Sequence, residues 1–184
     1  MNTLVRFLAF LNTLPARFKG LKVGKNSFLG PGYNYIFGNF NGVRLGKDVY
    51  IDRNAQISLI GRLANVGSDN EIIIGDGTKI GRNFICVSCK KIRIGKNCEI
   101  SHNVSVYDHE HNVYNRKIPP TKSGFTKIRE VIIEDDCFIG AHSFILKGVH
   151  LSKHCVVGAN SVVTKSFPAY SIIAGSPARL IKKI

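Results

Sequence analysis

The sequence predicts an all-β solenoid, a parallel β-helix of short strands and tight corners. The first observation is a period of six. Aliphatic residues stand at positions 74, 80, 94, 100, 106, 133, 139, 145, 151, 157 and 163, and Cys86 fills the remaining slot. Ile, Leu and Val make up only 49 of 184 residues, so eleven aliphatic anchors out of twelve is not chance, even with one two-residue slip and one large insertion allowed. The second observation is the fifth residue of each hexad, which is Thr, Ser, Cys or Val in eight of the twelve. The third is composition: 18 Gly and 6 Pro against a single Met disfavour a long helical bundle. A period of six matches neither the 3.6 of a helix nor the 2 of a long strand.

Each element follows from the hexad. Three hexads make an 18-residue coil with three short strands and three corners, and strands of successive coils pair side by side. Every anchor points into a narrow prism and stacks on the anchor one coil away. The fifth position also points inward, where a bulky group would not fit; Cys98, Cys137 and Cys155 stand there. Gly and Asn at the corners tolerate backbone angles that other residues resist. Weaker hexads begin at Val23, Leu45 and Ile51, and the stretch from Ser58 to Asn70 reads as an outward loop. One solenoid is therefore expected over residues 20–176, interrupted by a loop at 112–130. Its exposed strand edges need caps: a helical segment at 1–19 and the tail at 177–184.

Length gives a prior of one domain. An apolar share of 44% with 21% charged residues disfavours wholesale disorder. The net charge of +14, from 26 Lys+Arg and 12 Asp+Glu, implies an anionic partner. No stretch reaches the roughly 18 apolar residues of a membrane span. The segment Leu4–Leu11 is apolar but carries Arg6 and lacks a signal-peptide pattern. It reads as a short amphipathic helix ending before Pro15. Its two roles are packing on the body or on a neighbouring subunit, or resting on a membrane surface with help from Arg17, Lys19 and Lys22. Cys86 and Cys89 form a lone C-x-x-C with no second ligand pair for zinc. Five thiols, mostly at inward positions, fit a reducing compartment and a cytoplasmic protein.

The repeat breaks at the hexad Val106-Tyr-Asp-His-Glu-His. Its fifth position is Glu110, a charge that cannot enter an apolar prism unpaired. The chain is expected to leave the coil there and to return near Val131. The excursion holds Pro119-Pro120, Gly124 and a basic set of Arg116, Lys117, Lys122, Lys127 and Arg129. A loop of that length is usually functional or disordered, and this one opens on ionisable residues. His109 and His111, two apart, can face the same side of an extended chain. Histidine suits a general base near neutral pH, and Asp108 and Glu110 are candidate orienters.

With these hexads and the tail Ile173-Ala-Gly-Ser-Pro-Ala-Arg179, the chain resembles the hexapeptide-repeat acyltransferases, in their sugar and polysaccharide O-acetyltransferase branch. The resemblance spans about residues 70–182. It implies a left-handed β-helix, against the usual right-handed crossover. It implies direct acetyl transfer from acetyl-CoA to a sugar hydroxyl, with no covalent enzyme intermediate and no metal. The family register favours His111 as base over His109, with Asp108 beside them. Asn83 matches a position that contacts the acceptor sugar. Gly140, Ala141, Gly158 and Ala159 match positions along the pantetheine arm. Thr164, Lys165, Arg179 and Lys182 match positions near the adenine and phosphates, with Lys182 where arginine is common. The family pattern also implies a homotrimer with sites between subunits.

Three other readings compete. One is N-acetylation of an amino-sugar nucleotide on the same fold. Another is a γ-carbonic anhydrase-like zinc enzyme, which needs a further histidine pair that the chain lacks. The third is a non-catalytic basic solenoid that binds nucleic acid, disfavoured because no aromatic-interleaved binding motif appears. The anionic partner is then expected to be coenzyme A first. An acidic or lipid-linked glycan at the inner face of the membrane comes second.

Overall fold

The computed structural model describes residues 3–34, 40–61 and 69–184, with the side chains of the N-terminal helix described from residue 10. The chain winds into a left-handed parallel β-helix with three sheets. The first sheet stacks Lys22–Val23, Val43–Leu45, Glu71–Ile74, Lys91–Ile94, Val131–Ile133 and His150–Leu151. The second stacks Phe28–Leu29, Tyr50–Ile51, Lys79–Ile80, Glu99–Ile100, Phe138–Ile139, Val156–Val157 and Ser171–Gly175. The third stacks Gln56–Leu59, Ile85–Ser88, Ser105–Tyr107, Phe144–Ile145 and Val162–Val163.

Anchors pair with anchors throughout. Ile80 lies beside Ile100, Ile100 beside Ile139, and Ile139 beside Val157. The interval between partners measures what each coil carries beyond its three hexads. Ile133 and Leu151 pair across a plain coil of eighteen residues. Ile74 and Ile94 are twenty apart, Leu45 and Ile74 twenty-nine, and Ile94 and Ile133 thirty-nine. The strand Gln56–Leu59 occupies the start of the stretch expected to loop out, and its part at 62–68 lies outside the described residues.

All twelve anchors are buried to 2% exposure or less. A stacked aliphatic column of this kind has little room to collapse when a side chain is shortened. Ile100→Ala should therefore cost about 2–5 kcal/mol, read as a lowered denaturation midpoint. The inward fifth positions Thr78, Cys98, Cys137 and Cys155 form one buried ladder. The Thr78 hydroxyl donates to the Gly95 carbonyl at 2.7 Å and accepts the Cys98 N–H at 3.1 Å. The Cys98 thiol reaches the Glu134 carbonyl at 3.2 Å. Small polar groups fit there because each meets a backbone partner.

Phe84 departs from the small-residue rule, being fully buried at a fifth position. Its neighbours in that column are Ala55 and Val104, joined to it through the Gln56 N–H to Phe84 and Ile85 N–H to Val104 hydrogen bonds. Ala55 supplies the space that the ring takes. The corner between the second and third sheets holds Asn54, Asn83, Asn103, His142 and Asn160, all at positive φ. Asn is among the few side chains that accept that conformation.

Both ends are covered. Helix α1, Thr3–Phe18, runs through Pro15 instead of stopping before it. Thr13 and Ala16, either side of that proline, are buried, and the Thr13 hydroxyl accepts the Leu29 N–H at 2.9 Å. Tertiary packing on both sides of Pro15 outweighs the helical hydrogen bond it removes. At the other end Ala178–Lys183 turns back antiparallel on Ser171–Gly175 and closes the second sheet.

Candidate active site

The site begins with the two-residue slip. In the coil below the excursion, the extra residues fall between the strands Ile85–Ser88 and Lys91–Ile94. They widen the corner, so that Cys89, Lys90 and Lys91 present three successive N–H groups to one point, an anion-binding nest. Asp108 occupies it. Its carboxylate is fully buried and accepts the N–H groups of Cys89 at 2.7 Å, Lys90 at 2.7 Å and Lys91 at 2.8 Å. The Ser88 hydroxyl donates to it as well, at 2.8 Å. Burial alone would push the Asp108 pKa up. Hydrogen bonds from His109, Cys89, Lys90 and Ser88 outweigh burial and hold it below the ordinary carboxylate value.

His109 stands on that carboxylate. Its Nδ1 lies 3.0 Å from Asp108 Oδ1, and its side chain is 6% exposed. A carboxylate at Nδ1 selects the Nδ1–H tautomer and leaves the lone pair on Nε2. The ring is walled edge-on by Tyr107 at 6.0 Å and by Phe125 at 4.9 Å between centroids. His111 is exposed, with its ring 4.8 Å from Phe125 and no carboxylate partner among the described residues. The two histidines thus flank one phenylalanine supplied by the excursion.

The excursion is tied down at several points. Glu110–His111 pairs antiparallel with Phe125–Thr126. The Arg129 N–H donates to the Asp108 carbonyl at 2.8 Å, closing the loop at its base. Glu110 lies outside the prism, paired with Lys147 at 2.5 Å and Lys127 at 3.1 Å, and it accepts the Tyr114 hydroxyl at 2.8 Å. Lys147 first, then Tyr114 and Lys127, bring the Glu110 pKa down to about 2. Lys127 also caps the Tyr114 ring and bonds its hydroxyl. Glu110→Gln should loosen this clasp. Faster amide exchange at Asn112 and across 125–127 is the expected readout, with the coil amides unchanged.

The other residues singled out by sequence fall into two groups. Thr164 and Lys165 follow Val163, which stacks on Ile145 and through it on Val106. They therefore stand on the His109 corner, two coils along the prism. Gly140, Ala141, Gly158 and Ala159 lie on the corner at the opposite edge of the third sheet. They stack there one coil apart, with Gly140 N–H on the Val157 carbonyl and Asn160 N–H on the Ala141 carbonyl. A Cβ on Gly140 would come within 2.5 Å of the Ala159 nitrogen, so the coil spacing itself demands glycine. Asn83 stands on that second corner too. Its amide accepts from Asn54 at 3.3 Å and donates to Asn103 at 2.8 Å, away from His109 on the same chain. Arg179 and Lys182 are exposed on the closing strand, beside Ala174 and Ile172.

Ser88, the nest, Phe125 and Lys147 were not evident as site residues from sequence. The slip at 88–90 was their one visible signal. The Cys89 sulfur, an Asp108 oxygen and a His109 nitrogen lie within 4.8 Å of one another. Burial, then the Asp108 charge, pushes the Cys89 thiol up to about 12. Both carboxylate oxygens are already taken by donors, so this set does not fit a metal ion.

Comparison with known proteins agrees with the architecture. A family model described as the hexapeptide repeat of succinyl-transferase matches residues 71–108 and 130–165. A probable acetyltransferase of Mycobacterium tuberculosis is 30% identical over 149 residues, covering 76% of this chain and 49% of that protein. A 2,3,4,5-tetrahydropyridine-2,6-dicarboxylate N-acetyltransferase of Staphylococcus aureus is 49% identical over 53 residues, covering 29% of this chain and 22% of that protein. The chain thus spans about half the length of the first relative and less of the second. Among solved structures, AntD, an N-acyltransferase from Bacillus cereus crystallised with dTDP-4-amino-4,6-dideoxyglucose and coenzyme A, superposes with a TM-score of 0.75. Its identity to this chain is 22%, over 92% of this chain and 87% of AntD. The polySia-specific acetyltransferase NeuO superposes at 0.58, with 23% identity over 89% of this chain and 75% of NeuO. With twelve stacked anchors, three parallel sheets and a repeat model matched over 71–108 and 130–165, the chain carries the hexapeptide repeat and has the fold of a left-handed β-helix.

Proposed function

We propose that this protein is an acetyltransferase that moves an acetyl group from acetyl-coenzyme A to a sugar or polysaccharide hydroxyl, with His109 as general base. The observation that carries the reading is the Asp108–His109 pair. Its imidazole is fixed through Nδ1, leaving Nε2 available at the base of the excursion. Acetyl-coenzyme A supplies an activated thioester. His109 takes the acceptor hydroxyl proton on Nε2 as the oxygen attacks the thioester carbon. Asp108 stabilises the imidazolium so formed, and His109 returns the proton to the departing thiolate as the carbon–sulfur bond breaks. No nucleophile from the chain is used.

His109 is preferred to His111 because a base must be held in one tautomer and orientation. Only His109 has a carboxylate on its ring among the two. Thr164 and Lys165 share its corner and would meet donor phosphates there. The glycine-alanine corner lies across the third sheet, which favours a homotrimer in which that corner of one chain faces the His109 corner of the next. Light scattering after size exclusion should then give three times the chain mass.

An amino-sugar nucleotide acceptor is the second reading, favoured by the ligand crystallised with AntD. The base would serve an amine equally. Incubation with acetyl-CoA and paired acceptors, each sugar offered with a hydroxyl or an amine at the same carbon, separates them by product mass. Acetylation confined to the amine series would replace the hydroxyl reading. No acetylation in either series, with coenzyme A left unbound, would remove both.

A further inference from the structure

Helix α1 has two faces. Thr13 and Ala16 are buried on the first coil. On the opposite side of the helix, Leu11, Pro15 and Phe18 fall on one line and are exposed, Phe18 at 89% and Leu11 at 43%. Phe10, 47% exposed, lies on the flank with the Arg17 guanidinium 5.9 Å over its ring. Exposed aromatic and aliphatic side chains on a capping helix call for a cover.

The charge around the helix says which kind. The first acidic residue of the chain is Asp48, and seven Lys and Arg precede it. Those 47 residues therefore carry +7, half of the total of +14. Arg17, Lys19, Lys22 and Lys25 are exposed at the end of the helix and just beyond it. Phe10 and Arg17 also border a groove of about 820 Å³ with Val23, Lys25, Phe28 and Tyr50, apolar within and cationic at its rim. Asp48 faces the same groove and accepts a hydrogen bond from Asn26 at 3.0 Å. A second copy of this face would bring like charges together. An anionic bilayer instead takes the apolar stripe at its headgroup boundary and the cations at its phosphates. No helix among the described residues is long and apolar enough to cross a membrane, so contact is along the surface.

We infer that α1 and the lysines after it seat the protein on an anionic lipid surface, with Leu11, Phe18 and the Arg17–Lys25 cations as the contact. This stands apart from the catalytic proposal, because none of these residues belongs to the His109 site. The test is co-sedimentation of the full chain with two kinds of vesicle, phosphatidylcholine alone and phosphatidylcholine with phosphatidylglycerol. Wild type should pellet with the anionic vesicles and stay in solution with the neutral ones. Each lysine neutralised should lower partitioning about fivefold, so K22Q/K25Q should lower it about 25-fold. F18S should lower it as well, and both variants should keep the wild-type melting temperature because the side chains are exposed. Wild type left in solution with anionic vesicles would overturn the inference. So would unchanged binding by both variants, or an F18S variant that changes oligomeric state without changing vesicle binding.

Discussion

Asp108→Ala is expected to destabilise the fold by about 3 kcal/mol or more, with a fall in Tm measured by calorimetry. The carboxylate is fully buried and satisfies three backbone N–H groups, the Ser88 hydroxyl and the His109 ring. Removing it strands donors in a dry corner, at about 1–3 kcal/mol for each one left unpaired. The pH dependence has a definite sign. The folded-state pKa of Asp108 is held below its ordinary value of 3.8. A depressed carboxylate contributes stability that is fully present above the unfolded pKa and lost as pH falls through the folded one. Wild type should therefore lose this contribution below about pH 4, and Asp108→Ala should show no such loss from this site. Asp108→Asn separates the structural from the positioning role. Its amide oxygen can replace Oδ2 on the Lys90 and Lys91 N–H groups, which turns the NH2 toward His109 and leaves the Cys89 N–H facing a donor. That favours the opposite tautomer, with the proton on Nε2. The variant should keep more stability than Asp108→Ala while turnover collapses.

His109→Ala is expected to lower turnover by about 10²–10⁴, the range that a general base contributes. The fold should survive, because the ring packs outside the prism against Tyr107 and Phe125. His111→Ala removes only an exposed ring that touches Phe125. It should leave most of the turnover, with any loss falling on acceptor KM.

The architecture was legible because the prism imposes one constraint at every sixth residue. Ile74, Ile100 and Ile139 face the interior whatever the coil does between them. Even the departures were readable as intervals: the twenty residues from Ile74 to Ile94, and the thirty-nine from Ile94 to Ile133. What those departures hold was not legible. Glu110 was the charge expected to force the chain out of the coil, yet Asp108 is the buried one. Its burial depends on N–H groups from residues 89–91, brought beneath it by the coil below. The choice between His109 and His111 has the same origin. The family register favours His111, whereas the proposal of His109 rests on the nest, which spacing alone does not reveal. Phe84 fits inside the prism because Ala55 lies one coil away, a complementarity across 29 residues that no local pattern reveals. Pro15 would end an isolated helix, but Thr13 and Ala16 are held by the first coil on either side of it.

The proposed reaction passes an acetyl group to a sugar with His109 as base. Its most direct test is acceptor-dependent release of coenzyme A thiol by H109A and H111A, side by side with wild type at saturating acetyl-CoA. The rate of H109A should be lower by at least about a hundredfold, with H111A close to wild type. A wild-type rate in H109A, or a collapse in H111A with H109A unaffected, would contradict it.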